Sequence, residues 1–472
     1  MKKMRWLALL AIFSLFAVAC SAAEEAADTA TDAVEDAADA AEDAVEDAAD
    51  AAEDAMDGDD AADTEVATDY GVTDDTIRVG LSADLSGPFA GLTSAIVAAQ
   101  TAYFDRVNEE GGIAGRSIEV VSLDNAYDVP THLDNYAILS EESEEGVALI
   151  AQSTGSPHTS AIAGDLIDDD LVAIPLSWYS GWGSDFGANV FEFYTNYCFE
   201  GMNGVEFLVE QSGIASPKLA VVSRPGEYGQ DGAAGAKVAA EALGLEVVDL
   251  EGSIAGDDFT PIVTTLISEA PDIVWITSSP GELAQIMGGA AAGGLTAIWS
   301  GNSPSYNPAL LDTELAAALD AYYFHSSYTA DWGSVDTPGM VDMMAEMSER
   351  EPGGTYVEAG SYAYGWTQGI FVTEVLKLAA EGGDLTRAGI VAAANQVSVD
   401  FGGLAPDQTW NGDPNDYVVR GSYIYDIDIS TATPSNTILE EGGSGLVLVA
   451  ENFVSDVAAG YEFTEPCFVS EG

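Results

Sequence analysis

Residues 76–125, TIRVGLSADLSGPFAGLTSAIVAAQTAYFDRVNEEGGIAGRSIEVVSLDN, decide how the chain is read. The run 76–81 is apolar and partly β-branched, the pattern of a buried strand. Ser86-Gly87-Pro88 then breaks regularity and marks a loop. From Thr93 to Glu109 apolar residues return at helical spacing, with Ile96, Val97, Phe104 and Val107 on the stripe. Gly111-Gly112 ends that helix, because glycine accepts the left-handed turn beyond a helix C-terminus. A second strand over 117–123 runs into the polar Asp124-Asn125. A strand–loop–helix–strand unit of this kind belongs to an open parallel sheet, whose ligands sit beyond the carboxyl ends of the strands. That rule points to the loop 85–93 and to the chain near Asp124.

Outward from this unit the same alternation continues. Strand-like runs at 147–151, 171–175, 218–222, 245–250, 273–277 and 297–300 are separated by helix-like runs at 131–144, 159–167, 232–243, 260–269 and 282–292. This predicts an α/β fold of parallel sheets with crossover helices. A long helix is expected over 357–380, and strands again at 418–427 and 445–452. Roughly 400 residues make up this part, enough for two lobes.

Several motifs stand in a fixed order. They are LSGPFAG and GGIAGRSIEVVSLDN in the opening unit, then Pro225-Gly226-Glu227-Tyr228-Gly229, Ala290-Ala291-Ala292-Gly293-Gly294-Leu295, and Gly402-Gly403-Leu404 ahead of Gly412-Asp413. Together, over residues 74–430, they resemble the solute-binding proteins of branched-chain amino-acid-type ABC importers. The resemblance implies a type I periplasmic-binding fold: two Rossmann-like lobes with parallel sheets, joined by three crossover segments near 194–198, 325–329 and 397–402. Lobe one would comprise 73–196 with 326–400, and lobe two 197–325 with 401–472. The implied function is capture of a small polar or amino-acid-like ligand (an amino acid, amide or short-chain acid) between the lobes, and its delivery to ABC permease subunits. A ligand-sensing receptor lipoprotein of the same fold, acting in signalling, is the alternative.

The candidate ligand residues follow partly from chemistry and partly from the resemblance. In Ile150-Ala151-Gln152-Ser153-Thr154-Gly155-Ser156-Pro157 a strand ends, small polar residues turn the chain and a helix begins. Free backbone N–H groups and a positive helix end are then offered to a carboxylate. Ser156, just before Pro157, also reads as the helix cap. In the resembled family this segment, Ser153, Thr154, Gly155 and Ser156 here, grips the α-carboxylate of an amino acid. Ser177 and Trp178 fall where family members touch the ligand after the next strand. Tyr228 matches a cleft tyrosine, and Ser279 and Asn302 stand at further cleft positions. Phe89, Trp178 and Tyr228 are expected to wall the apolar part of the ligand. Amino-acid binders of the family carry a carboxylate where Asn302 stands, so Asp124, Glu227 or another acid would have to replace it.

The N-terminus reads differently. Lys2, Lys3 and Arg5 precede an apolar run, 7–18, too short for a comfortable membrane span, and Ala17-Val18-Ala19-Cys20 follows. This resembles a lipoprotein signal peptide over 1–20, with lipid on Cys20 as the membrane attachment; an ordinary signal peptide with an incidental cysteine is the plainer alternative. Either places the mature protein outside the cytoplasmic membrane. Residues 21–72 form an acidic Ala/Asp/Glu tether in which 32–42 repeats unchanged as 43–53. Its stripe is mostly alanine, which buries too little surface to hold a fold.

The chain carries 13 Lys and Arg against 80 Asp and Glu, a net charge of −67. Such an anionic surface disfavours nucleic acid and anionic membrane as direct partners. It suits high salt, where screening shortens the reach of self-repulsion. With Cys20 assigned to lipid, Cys198 and Cys467 are an even pair in an oxidising compartment, which predicts a disulfide; two buried thiols are the alternative. No nucleophile elbow, H-E-x-x-H, C-x-x-C or Walker lysine occurs, and His132, His158 and His325 are scattered. No enzyme activity, cofactor or metal site is expected.

Overall fold

The computed structural model describes residues 66–182, 189–410, 412–438 and 443–469. The leader, Cys20 and most of the tether lie outside the described residues. The ordered body begins ahead of residue 73: Ala67–Thr68 pairs in parallel with Asp384–Leu385, and Val72 is buried. Backbone pairing, which composition does not reveal, holds this stretch.

Strands β1 (Thr76–Ala83), β2 (Ser117–Asp124), β3 (Leu149–Thr154) and β4 (Ala173–Leu176) form a parallel sheet in the order β2-β1-β3-β4. Helices α1 (Ala90–Glu109), α2 (Val129–Leu139) and α3 (Ser156–Asp168) connect them. Ile77, Val79 and Leu81 are fully buried on one face of β1, and Gly80 and Ser82 are buried on the other, so the sheet is covered on both faces along the second half of that strand.

The second sheet is larger. Its parallel part comprises β5 (Leu219–Ser223), β6 (Val247–Leu250), β7 (Ile273–Thr277), β8 (Ile298–Gly301) and β9 (Tyr323–Ser327), in the order β6-β5-β7-β8-β9. Helix α4 (Tyr197–Ser212) leads into it, and α5 (Gly226–Leu243), α6 (Thr260–Glu269), α7 (Pro280–Ala292) and α8 (Ala316–Tyr322) join its strands. Two antiparallel strands, β10 (Ser422–Ile427) and β11 (Leu446–Phe453), extend it beyond β9. Between β9 and β10 in sequence come α9 (Pro338–Arg350), α10 (Tyr356–Glu381) and α11 (Arg387–Ala394). Helix α10 packs on α1 and β3, so the chain returns to the first sheet after β9 and leaves it again before β10. The α/β fold with parallel sheets read from the sequence is therefore present, with a mixed edge on the second sheet.

The α1–α10 contact depends on glycine. A Cβ at Gly365 would stand 1.9 Å from the Ile96 carbonyl oxygen. Elsewhere the element bounds shift for identifiable reasons. Helix α2 stops at Leu139, short of residue 144, because the buried Arg387 takes the carbonyls of Ser140, Glu141 and Val147 from the loop that follows. Strand β3 runs on to Thr154, since Gln152, Ser153 and Thr154 are buried strand residues and not a turn. Their polar groups are satisfied inside the fold: Gln152 Nε2 donates to Thr154 Oγ1, and Ser153 Oγ meets Thr159 Oγ1 at 2.7 Å.

Candidate functional site

Both sheets reverse strand order beside their first strand, β1 against β3 and β5 against β7. Ligand crevices form at such switch points, beyond the carboxyl ends of the strands. A cavity of about 1020 Å³, including the open solvent at its mouth, lies there. Its walls come from the ends of β3 and β4 (Thr154, Leu176), the first turns of α1 and α3, the start of α5 (Tyr228), the segment after β8, and the segment from Ser327 to Trp332 that follows β9.

Of the residues singled out in the sequence, Phe89, Thr154, Gly155, Ser156, Trp178 and Tyr228 line this cavity. The reading of Ser156 as the helix cap is corrected. Gly155 is the N-cap of α3, at φ 102°, and a Cβ there would collide with the His158 ring. Ser156 is instead the first residue of α3, with Pro157 behind it, and its hydroxyl meets Ser177 Oγ at 2.6 Å. Ser177 also accepts from Trp182 Nε1 at 3.0 Å, so it stands behind Ser156 and fixes it. Ser153 is buried behind the cavity wall, within hydrogen-bond distance of His132 and Thr159.

Tyr228 lies in the first turn of α5, which starts at Gly226, six residues ahead of the predicted start at 232. Its hydroxyl donates to the Ser278 carbonyl at 2.7 Å, which leaves the ring as the part offered to the cavity. Phe89 meets that ring edge-on at 5.9 Å, and the run of rings continues through Tyr197 (4.9 Å from Tyr228) to Trp178 (6.1 Å) and Tyr364 (5.5 Å). Arg224 reaches from the end of β5 to within 5.7 Å of the Phe89 ring centre and 5.5 Å of Tyr127, a cation–π contact between the two lobes.

Ser279 and Asn302 are not among the lining residues. Ser279 caps α7 in a reciprocal box with Glu282, so its hydroxyl is engaged with the backbone. Asn302 is fully buried and packs toward Gly232 and Thr277, with its amide beside Glu200. Asp124 lies away from the cavity, where it accepts from Leu85 N, Ser86 Oγ and Ala126 N. Glu227 does not line it either.

The cavity's carboxylate is Asp331, pushed up to about 6 by burial and steadied by the Ser444 hydroxyl. Glu200 stands behind the wall. It accepts from Tyr328 Oη at 2.7 Å, Ser326 Oγ at 2.8 Å and the Ser303 amide at 2.8 Å, and burial raises it to about 7. Among the described residues no group of three or more His, Cys, Asp and Glu is arranged to hold a metal.

A family model described as periplasmic binding protein matches residues 76–433. The chain belongs to that family. Among solved structures, this periplasmic binding protein is similar to a fatty acid ABC transporter substrate-binding protein from Thermomonospora curvata. The two are 29% identical with a TM-score of 0.74, over 85% of this chain and 97% of that one. A branched-chain amino acid ABC transporter protein from Thermus thermophilus with bound valine shares the fold at 18% identity and a TM-score of 0.66, over 82% of this chain and 98% of the other. A leucine-, isoleucine-, valine-, threonine- and alanine-binding protein of Pseudomonas aeruginosa is 24% identical over 235 residues, 49% of this chain; the match spans 61% of that relative's length. These relatives are binding proteins and not enzymes. Family membership places the protein outside the cytoplasm. Among the described residues no helix is long and apolar enough to cross a membrane.

For this periplasmic binding protein, sequence reasoning missed the cavity residues Tyr306, His325, Asp331 and Tyr364. Two carry a signal in retrospect: His325 opens the expected second crossing and Asp331 follows just after it, and a crossing borders the cleft. Tyr306 and Tyr364 carry none, because each reaches the cavity through the packing of a distant element.

Proposed function

We propose that the protein is an extracytoplasmic solute-binding component of an ABC importer, anchored by lipid on Cys20, that closes its two lobes around a carboxylic acid with a substantial apolar body. The observation that carries this reading is the cavity wall. Rings and aliphatic side chains, among them Leu92, Ile96, Trp178, Tyr228 and Tyr364, dominate it. Thr154, Gly155 and Ser156 gather at the start of α3, where the positive end of the helix dipole favours a negative group. An apolar wall with a few convergent polar groups is the usual make-up of a small-molecule site. The Asn302 position, where the resembled amino-acid binders place a carboxylate, holds a fully buried amide that does not line the cavity. This favours acids with larger apolar bodies over branched-chain α-amino acids, in keeping with the fatty acid named for the Thermomonospora curvata relative. The relatives' names support transport and lend nothing to the signalling alternative.

The test is a thermal-shift screen of α-amino acids against unbranched and aromatic carboxylic acids, followed by calorimetry. A ligand that binds only the folded state raises the melting temperature. Apolar-bodied acids should stabilise the protein more than branched-chain amino acids do, and Ser156→Ala and Tyr228→Ala should each weaken the best ligand by about tenfold or more. Unchanged affinity in both folded variants would place the ligand elsewhere. Mass spectrometry of the mature protein that finds no lipid on Cys20 would remove the anchor.

A further inference from the structure

The wall beyond the aromatic run is not finished as an apolar surface. The Tyr364 hydroxyl meets Ser303 Oγ at 3.0 Å, and past Ser303 the lining continues with Tyr306, His325 and Asp331. Tyr306 and His325 pack ring to ring at 4.6 Å and are 4% and 7% exposed. The Tyr306 hydroxyl and His325 Nδ1 are buried with no hydrogen-bond partner among the described residues. Leaving such groups unsatisfied is costly, so in native proteins they are nearly always paired. Beside them, Asp331 receives the Ser444 hydroxyl, and its backbone N–H donates to Tyr425 Oη at 2.8 Å. Among the described residues no Lys or Arg acts on its carboxyl. Burial holds His325 neutral, down to about 3, so no charge there balances Asp331.

Resting on the reading that a ligand carboxylate sits at Ser156, we infer that Tyr306, His325 and Asp331 form a second polar subsite, which takes a hydrogen-bond donor at the far end of the ligand's apolar body. The ligand class is then an acid bearing an ω-hydroxyl or ω-ammonium group. A bare methyl end would leave the Tyr306 hydroxyl and His325 Nδ1 unpaired and the Asp331 carboxyl with the Ser444 hydroxyl alone. A second carboxylate would face Asp331 at close quarters. A donor end donates a hydrogen bond to Asp331 and, as a hydroxyl, also accepts one from the Tyr306 hydroxyl. The net charge of −67 adds to the preference for the ω-ammonium form, because its field repels an anion and leaves a zwitterion better tolerated.

Calorimetry with the full chain tests this, using octanoate, its ω-hydroxy and ω-amino derivatives, and the same three forms of hexanoate and decanoate. At the best-fitting length a donor-bearing acid should bind about tenfold or more tighter than the plain acid. In Asp331→Asn, with folding checked by circular dichroism, that ratio should fall toward unity. Plain acids that bind as tightly as the donor-bearing ones at every length overturn the subsite and leave the carboxylate reading standing. A ratio unchanged in a folded Asp331→Asn also overturns it. If Asp331→Asn does not fold, the wild-type ratio decides. Failure of every acid to bind overturns the underlying reading, and the subsite with it.

Discussion

Glu200 shows what a single buried acid does in this fold. It is fully buried at the start of α4, yet its three donors come from other elements: Ser303 after β8, Ser326 in β9 and Tyr328 just beyond. The carboxyl ties the first passage between the sheets to the second. Burial raises it from the ordinary 4.5 to about 7, against the opposing pull of those hydrogen bonds. A raised folded-state value means that its contribution to stability is complete below about pH 4.5 and is lost as pH rises through about 7. The loss should be on the order of 3 kcal/mol. Denaturant melts at about pH 5 and about pH 8 on the wild type and Glu200→Gln check this. The variant should lose less stability across that interval. Equal losses in both would mean that Glu200 does not titrate there.

Two contacts between elements make predictions of their own. The C-terminal tail is tied to both lobes. Cys467 is bonded to Cys198 at the start of α4, with Cα atoms 6.2 Å apart. Its amide donates to Ser180 Oγ at 2.8 Å, and Tyr179 Oη donates to the Phe468 carbonyl at 2.6 Å. Ser180 in turn donates to the buried Asp231 of α5. The expected disulfide is thus part of a strap that reaches the loop carrying Trp178. Cys467→Ser should cost about 2–5 kcal/mol of stability, and non-reducing peptide mapping of the wild type should recover the joined peptides. Two alkylatable thiols in the unreduced protein would contradict it. The second contact is the α1–α10 approach. Gly365→Ala should destabilise by about 1–3 kcal/mol, because the added methyl meets the Ile96 carbonyl at 1.9 Å. A thermal melt reads the loss, and an unchanged melting temperature would show that the helices can part without cost.

At the scale of the whole molecule, charge dominates. Arg78, Arg106, Lys218, Arg224, Lys237, Arg350 and Lys377 are in ion pairs, several with two acids each. Arg116, Arg387 and Arg420 are turned to backbone carbonyls. With 80 acids against 13 bases, most carboxylates have no cation to meet. These pairs are largely surface pairs and individually weak, so the net long-range repulsion outweighs them. The reach of unscreened charge falls from about 10 Å at 0.1 M salt to about 3 Å at 1 M. The melting temperature should therefore rise between low salt and molar sodium chloride, even though the ion pairs themselves weaken. A flat or falling profile would sink the adaptation to high salt.

The alternation of strand-like and helix-like runs was enough to determine the α/β class, because burial on both faces of a parallel sheet writes itself into local hydrophobic pattern. The opening unit 76–125 also located the first switch point and Phe89, and the segment 150–157 located the strand-to-helix junction at Thr154–Ser156, since strand ends are local features. Side-chain direction was not legible in the same way. Ser279 and Asn302 follow strands as cleft residues do, but one is held by a helix cap and the other faces Gly232 and Glu200. Tyr306, His325, Asp331 and Tyr364 meet at the cavity from the segment after β8, strand β9, the passage beyond it and helix α10. Their convergence is a product of how two sheets and three passages pack, and no local spacing encodes it. The sequence determined where the crevice opens; the tertiary structure decided which polar groups are left facing it, because helix caps and burial between packed elements turn the others away.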